Sequence, residues 1–260
     1  MGVQFKGVRA VMKGALQLVY PPQCMGCGET VGETGALCPG CWNDTGFIVG
    51  ICCDLCGAPL PDDGSRPDAA GARLSDAEGA RCDECLRAAR PWVRGRAALV
   101  YRGTGRPLVL ALKHGDRLDI AAPLGDWLAR TSAPLIAPDT LVVPVPLHLR
   151  RLFHRRYNQA ELLARRIAHA HGLPLRADLL FRTRATPPQD HRPLAERFAN
   201  LEGALRVRPR ELPRIAGRPV LLVDDVMASG ATLTAAAGAL IAQGAGPVSV
   251  AVLARAVKEA

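Results

Sequence analysis

Two adjacent carboxylates, Asp224 and Asp225, follow an apolar and β-rich run that begins at Val220. Small residues come next, and an alanine-rich segment with helical spacing runs over 233–243. This pattern predicts a strand that ends in two acids, then a short loop and the start of a helix. Free backbone N–H groups of such a loop can surround an anion, and the helix dipole adds to the attraction. The two carboxylates can accept hydrogen bonds from vicinal hydroxyls. One phosphate plus one diol describes a ribose 5-phosphate, whereas the plain alternative is an ordinary βα turn.

The loop after the acid pair has the residue types that an anion site needs. Gly230 lets the backbone come close to a ligand, and the hydroxyls of Ser229 and Thr232 add donors. The predicted ligand-binding residues are Asp224, Asp225, Ala228, Ser229, Gly230, Ala231 and Thr232.

Eight of the nine cysteines stand in Cys-x-x-Cys pairs, a spacing that predicts metal binding. The first two pairs predict one tetrahedral site and the last two predict a second, so the expected ligands are Cys24, Cys27, Cys38, Cys41, Cys53, Cys56, Cys82 and Cys85. Cys52 is the ninth thiol and is an alternative to Cys53. These pairs contain no His, so the expected metal is structural zinc. Redox chemistry is a poorer interpretation, because no pair stands between a strand and a helix.

A basic run follows a second apolar strand, predicted over 141–145. It consists of His148, Arg150, Arg151, Arg155 and Arg156. A solvated surface is the plain interpretation of such a run. Because this one leaves the carboxyl end of a strand, we expect it to lie beside the predicted loop, where arginine side chains can grip phosphates. His148 is equally well explained as a loop-packing residue.

The elements that must position these residues alternate between strand and helix from Arg96 onward, which predicts an α/β fold with a mostly parallel sheet and helices on both faces. Strands are expected over 97–101, 141–145, 179–183, 219–223 and 248–253, and helices over 107–113, 120–130, 160–171, 194–201 and 232–243. The predicted domains are an amphipathic helix over 1–20, a Cys-rich double zinc ribbon over 21–92 and the α/β domain over 93–260.

The composition limits the partners and the compartment. The net charge of +9 favours phosphate-bearing partners, although a basic and merely well-solvated protein is the alternative. The segment 1–20 is too short and too charged to span a bilayer, so we expect no transmembrane segment; we expect it to pack on the body, with membrane-surface contact as the alternative. Nine cysteines without a secretory signal predict a cytoplasmic protein.

The acid-pair segment resembles the phosphoribosyl-pyrophosphate (PRPP) motif of type I phosphoribosyltransferases, and from Leu18 to Ala254 the chain is similar to the ComF/GntX family. That resemblance implies a double zinc ribbon ahead of a phosphoribosyltransferase-like domain, which binds PRPP with Mg²⁺. It also implies a role in competence, the import of transforming single-stranded DNA. The implied partners are single-stranded DNA and a competence helicase or another DNA-processing protein.

The resemblance also assigns roles. It places the basic run at the pyrophosphate-binding loop and a mobile lid over 184–200, with Lys113, Arg184, Arg197 and Asn200 as further candidates. Lys113 is explained as well by a charge at a helix C-terminus. Nucleobase-salvage members of the fold carry an Asp where this chain has Ala228, so no catalytic residue is assigned and the acceptor stays open. The alternative function is an active phosphoribosyltransferase of nucleotide or nutrient metabolism with an unknown acceptor.

Overall fold

The computed structural model of the chain describes residues 20–61, 79–114, 117–148, 152–153, 156–185 and 194–257. The predicted helix over 1–20 lies outside the described residues except for its last position, and so do Arg150, Arg151 and Arg155. Within the described ranges, no helix combines the length and the apolar character needed to cross a bilayer.

Strands and helices alternate along the second part of the chain. The described strands are β1 (Arg94–Val100), β2 (Leu141–Pro144), β3 (Leu180–Arg182), β4 (Leu205–Val207), β5 (Val220–Met227) and β6 (Val248–Arg255). The described α-helices are α1 (Pro39–Asp44), α2 (Asp83–Arg87), α3 (Gly105–His114), α4 (Ala121–Ser132), α5 (Gln159–His171), α6 (Leu194–Ala199), α7 (Leu212–Ile215) and α8 (Ala231–Ile241).

The central sheet has four parallel strands in the order β1-β6-β5-β2. This architecture confirms the predicted α/β class with a parallel sheet. β5 is longer than the sequence indicates, because it continues past Val223 through Met227. Asp224 and Met227 lie in register with Val252 and Arg255 of β6. The acid pair therefore belongs to the last half of a strand and not to the turn behind it.

Each face of the sheet has its own core, as a parallel sheet requires. Val220 and Leu222 of β5 point into one core, and Leu221 and Val223 point into the other, following the two-residue period of a strand. Helices α3, α4 and α5 cover the second core. The first core is covered by α8, by β3 and β4, and by the cysteine-rich segment that contains Leu55.

The segment after α1 covers the outer edge of β1. Ile48 donates its backbone N–H to the Ala98 carbonyl at 3.0 Å, and Val100 donates to the Gly46 carbonyl at 2.7 Å. On the other side of the sheet, Val142 of β2 exchanges backbone hydrogen bonds with the segment 174–176. Both edges of the sheet thus find backbone partners, which removes the exposed hydrogen-bonding groups that would template aggregation.

The second cysteine-rich segment lies against the sheet itself. The Trp92 side chain is buried and donates its Nε1–H to the Leu55 carbonyl at 2.6 Å. Gly95 donates its N–H to the Asp54 carbonyl at 2.7 Å. A Cβ on Gly95 would lie 2.3 Å from the Leu55 carbonyl oxygen, so this close approach of two backbones needs glycine.

A small antiparallel pair, β3 with β4, stands outside the central sheet. The chain between these strands carries the predicted lid, of which 186–193 lies outside the described residues and 194–199 forms α6. The sequence analysis missed β4, because three residues are too few to show a two-residue period.

Candidate metal centres and anion-binding site

The structure gathers the eight predicted cysteine ligands into two groups of four. The first metal centre is Cys24, Cys27, Cys38 and Cys41, and the second is Cys53, Cys56, Cys82 and Cys85. Within each group the sulfur atoms lie within 4.8 Å of one another. Cys52 lies outside both groups. The second metal centre therefore contains Cys53 and not its alternative, Cys52.

The sulfur geometry fits zinc. Zinc–thiolate bonds of about 2.3 Å place the corners of a tetrahedron about 3.8 Å apart. The Cys27 and Cys38 sulfurs are 3.7 Å apart, and those of Cys56 and Cys82 are 3.6 Å apart. Backbone N–H groups of Gly26 and Cys38 donate to the Cys24 sulfur at 3.4 and 3.2 Å, as expected of a thiolate ligand.

The acid–base properties of the second metal centre also call for a cation. Hydrogen bonding with Cys53 raises the pKa of Cys56, and it raises the pKa of Cys85 to about 11. The hydrogen bond from Cys56 in turn lowers the pKa of Cys53. Deprotonation of Cys53 is therefore favoured, whereas deprotonation of Cys56 and Cys85 beside it is disfavoured. A divalent cation removes this obstacle by coordinating all four thiolates, which is what a structural zinc site provides.

The predicted anion-binding loop, residues 228–230 between β5 and α8, borders a pocket of about 100 Å³. The pocket lining includes Asp224, Ala228, Ser229, Gly230, Ala231 and Thr232, and it also includes Arg197 from α6. Gly230 has a φ of 80°, a left-handed conformation that turns the chain into α8.

The two carboxylates of β5 have different surroundings. Asp225 is buried, and its Oδ2 lies 3.3 Å from the Lys113 Nζ at the end of α3. Asp224 lines the pocket and accepts a hydrogen bond from the Asp225 backbone N–H at 2.9 Å. Neighbouring residues of a strand point to opposite sides, which explains this division. Lys113 thus neutralises one acid, and the other faces the pocket.

The pKa of Asp224 is raised to about 7, because burial disfavours its charged form and the Asp225 carboxylate repels it. Lys113 and Arg182 oppose this shift without cancelling it. Asp224 is therefore about half protonated at neutral pH, and it can change its charge when a cationic or hydroxyl-bearing ligand arrives.

The candidate residues of the predicted lid have different surroundings. Arg197 lines the pocket, and it already has an interaction within the chain. Arg184 donates to the carbonyls of Asn200 and Glu202, whereas the buried Asn200 Nδ2 has no hydrogen-bond partner among the described residues.

His148 and Arg156 flank the undescribed part of the basic run. His148 accepts a hydrogen bond at its carbonyl from the Leu152 N–H at 3.0 Å, and Leu152 in turn accepts from the Arg156 N–H at 2.7 Å. Asn158 ties this region to β2, because its Nδ2 donates to the Val145 carbonyl at 3.0 Å. The carboxyl end of β2 is thereby fixed beside that of its neighbour β5.

Two arginines that the sequence analysis missed donate hydrogen bonds to backbone carbonyl groups at the anion-binding loop. Arg255, at the end of β6, is only 1% exposed and donates to the carbonyls of Met227 and Ala228. Arg90 donates to the Ser229 carbonyl at 2.7 Å. The signal for Arg255 was its place at the end of an otherwise apolar strand, where a charge is costly unless it is paired.

Comparisons with known proteins agree with this architecture. The double zinc ribbon domain matches residues 15–86, and the phosphoribosyl transferase domain matches residues 159–259. DNA utilization protein YhgH of Salmonella typhi is 37% identical over 175 residues, which cover 65% of this chain and 75% of that protein. DNA utilization protein YhgH of Escherichia coli K12 is 34% identical over 175 residues, which again cover 65% of this chain and 75% of that protein. Competence protein F of Haemophilus influenzae is 36% identical over 94 residues, 35% of this chain and 40% of that protein.

The chain belongs to the ComF/GntX family. The predicted membership is thereby confirmed, as is the order of a double zinc ribbon followed by a phosphoribosyltransferase-like fold. Among solved structures, TT1426 from Thermus thermophilus has a TM-score of 0.31 and 19% identity, with coverage of 54% of this chain and 85% of that one, a likeness too weak to bear on the ComF/GntX fold.

The two metal centres predict how many zinc ions each cysteine variant binds. We expect Cys53→Ser to bind one zinc per chain and to unfold at a lower temperature, because structural zinc binding is coupled to folding. Cys52→Ser is the matched control and should keep two zinc ions. Elemental analysis with thermal unfolding measures both, and loss of a zinc ion from Cys52→Ser would contradict the assignment of Cys53.

The raised pKa of Asp224 predicts how stability depends on pH. Between the unfolded value of 3.8 and the folded value of about 7, the folded state holds a proton that the unfolded state has lost. The stability contribution of Asp224 therefore falls as pH rises through this window and levels off above it.

We expect the free energy of unfolding of Asp224→Asn, relative to that of wild type, to rise by about 1–2 kcal/mol as the pH increases from 6 to 8. Most of this rise should be complete near pH 7.5. Urea unfolding at several pH values, with zinc content checked at each, measures this difference. A difference independent of pH would show that Asp224 titrates normally.

Proposed function

We propose that this ComF/GntX protein binds PRPP with Mg²⁺ at the loop between β5 and α8 and takes part in handling imported single-stranded DNA. The observation that carries the proposal is one pocket wall that combines a carboxylate, Asp224, with the backbone of the anion-binding loop and an arginine, Arg197. A phosphate and a diol on one small molecule match these groups.

The loop is the proposed site of the 5-phosphate. The backbone of Ser229 and Gly230 meets the N-terminus of α8, where the helix dipole favours an anion. The Ser229 Oγ already accepts from the Ala231 N–H at 3.4 Å, so the phosphate would compete for this group. Thr232, on the first turn of α8, adds a hydroxyl at the pocket wall.

The acid pair is the proposed site of the ribose hydroxyls. Asp224 faces the pocket, while the Lys113 ammonium offsets the charge of Asp225. This offset matters because PRPP is itself strongly anionic, and two uncompensated carboxylates would repel it. An ionised Asp224 would accept hydrogen bonds from the hydroxyls, so ligand binding should pull a proton off this residue.

The pyrophosphate is assigned to the end of β2. β2 and β5 are hydrogen-bonded neighbours, and the basic run begins at His148, four residues after the end of β2. Arginines there would neutralise pyrophosphate together with Mg²⁺, which PRPP oxygens would mainly hold. Arg184 and Arg197 belong to the proposed lid, 184–200, which would close over the bound ligand.

The role in DNA handling has two supports. Two of the relatives are called DNA utilization proteins, and another is called a competence protein. The net charge of +9 suits a phosphate backbone. The proposed partners are therefore single-stranded DNA and a helicase or another DNA-processing protein. The location would be the cytoplasm, where thiols stay reduced and available to zinc.

Turnover is the second candidate function, and the observation that favours it is a carboxylate in the wall of the pocket, Asp224. A carboxylate with a pKa of about 7 is poised to exchange a proton with an acceptor near neutral pH. Ala228 cannot serve as a base. An assay for pyrophosphate release across nucleobase and amine acceptors would test this candidate, and binding of PRPP without release would leave the ligand-binding function alone.

Calorimetry with PRPP–Mg²⁺ tests the proposed ligand. We expect Asp224→Ala and Asp225→Ala each to weaken binding by about 1–3 kcal/mol, because the first removes a hydroxyl acceptor and the second leaves Lys113 unpaired. Asp119→Ala is the control, because it removes an exposed carboxylate paired with Arg117. Equal affinity in wild type and both site variants would refute the ribose assignment.

Binding of single-stranded oligonucleotides should weaken steeply as salt increases, because neutralised phosphates release counterions. Joint replacement of Arg150, Arg151, Arg155 and Arg156 by Gln should reduce both the affinity and the slope against salt. Fluorescence anisotropy in a salt series measures both quantities, with duplex DNA as the comparison. An affinity that does not change with salt would count against a phosphate contact.

A further inference from the structure

Three consecutive carbonyl groups, from the last residue of β5 into the anion-binding loop, accept hydrogen bonds from guanidinium groups. The Arg255 Nη1 donates to the Met227 carbonyl at 3.1 Å and to the Ala228 carbonyl at 2.8 Å. The Arg90 Nη1 donates to the Ser229 carbonyl at 2.7 Å. Three consecutive peptide units are therefore fixed by their oxygen atoms.

Holding the oxygens also sets the direction of the N–H groups. A trans peptide unit is planar, and its N–H points away from its carbonyl. The described chain contains no cis peptide bond. The N–H groups of Ala228, Ser229 and Gly230, which complete these three units, must therefore point away from the two arginines, and all three residues line the pocket. Anchoring of the carbonyls thus arranges the donors that an anion needs.

Both arginines belong to the surroundings of the second metal centre. The Arg255 Nη2 pairs with the Glu84 carboxylate, which lies between Cys82 and Cys85 in the sequence. The Arg255 side chain also lies beside the Cys56 sulfur. The side chain of Arg90 reaches the Cys85 sulfur, and its guanidinium lies 5.5 Å from the Trp92 ring centroid.

Charge balance connects these arginines to the metal. Four thiolates and one Zn²⁺ carry a net charge of −2, which suits two neighbouring guanidinium groups. The Nε atoms of Arg90 and Arg255 are buried and have no hydrogen-bond partner among the described residues. Thiolate sulfurs of a loaded site accept hydrogen bonds, so the donor set fits an anionic zinc centre on this side of the loop.

We propose that Arg90 and Arg255 are positioning residues that hold the anion-binding loop in its ligand-binding shape from the second metal centre. The inference rests on the proposed function of the loop as a phosphate site. Loading of the second centre and ligand binding then favour each other, because coupling between two sites is reciprocal. The first centre has a different neighbour, since Gly26 packs against Thr104 at the start of α3.

The test uses the full-length, zinc-loaded chain with Arg90→Met and Arg255→Met, which keep most of the aliphatic stem and remove the donors. Backbone amide resonances of Ala228, Ser229 and Gly230 report the loop shape without any ligand. We expect both variants to keep two zinc ions, to shift these resonances and to bind PRPP–Mg²⁺ about tenfold more weakly or worse. Arg90→Lys, which keeps one donor for the Ser229 carbonyl, should retain more affinity than Arg90→Met.

Arg87→Met is the matched control, because Arg87 comes from the same segment and its side chain is 82% exposed in a pair with Asp83. It should change neither resonances nor affinity. If Arg255→Met fails to fold, Glu84→Gln replaces it, since this change weakens the hold on Arg255 from the partly exposed carboxylate. A lower unfolding temperature with unchanged loop resonances and unchanged affinity would overturn the inference.

The two proposals fail in different ways. If wild type does not bind PRPP–Mg²⁺ at millimolar concentration, the proposed ligand is wrong, and the loop resonances of the variants still decide the positioning role. If wild type binds and both arginine variants bind equally well, the ligand stands and the positioning role is wrong. Cadmium NMR of the cadmium-loaded chain adds a reciprocal measurement, because each metal centre gives its own resonance. The resonance of the second centre should shift in Arg90→Met and should also shift when PRPP–Mg²⁺ binds to wild type. If PRPP–Mg²⁺ shifts only the resonance of the first centre, the coupling is contradicted.

Discussion

A parallel sheet cannot leave either face in water, and this constraint governs how the two halves of the chain are joined. Helices α3, α4 and α5 cover one face. On the other face α8 is joined by the second cysteine-rich segment, whose Cys53, Cys56 and Trp92 share a core with Val250 of β6. That metal centre is therefore a layer of the fold and not a separate knuckle attached by a linker. The domain boundary predicted at residue 92 stays a proposal, and it crosses this shared core.

The two metal centres contribute to the fold in different ways. The first lies next to the segment 46–48, which pairs with the edge strand β1 and satisfies its outward hydrogen-bonding groups. The second supplies buried surface to the face of the sheet. Because zinc binding free energy is folding free energy in such sites, the metal at the second centre also stabilises the packing against β6. The ribbon of the first metal centre thus packs at an edge of the central sheet, and the ribbon of the second packs on one of its faces.

The sequence predicted much of this structure because its strongest signals are local. Cysteine spacing identified both ligand groups, and apolar runs identified β2, β5 and β6 to within a few residues. The end of β5 was predicted too early, because two carboxylates normally mark a turn and only pairing with β6 keeps them in the strand. β4 is too short to show a period. The spacing favoured Cys53 and left Cys52 as an alternative, and the fold places Cys53 in the second metal centre.

The contacts that could not be predicted are those between residues far apart in the sequence. Lys113 meets Asp225, and Arg255 meets Glu84, only because the sheet brings them together. Burying a guanidinium such as that of Arg255 costs free energy unless it has hydrogen-bond acceptors. Here the acceptors are the Glu84 carboxylate and the carbonyls of Met227 and Ala228. These acceptors belong to the ribbon and to the loop. The charge therefore has a stable position only when both are in place, so the free energy of burying one side chain depends on the packing of two parts of the chain.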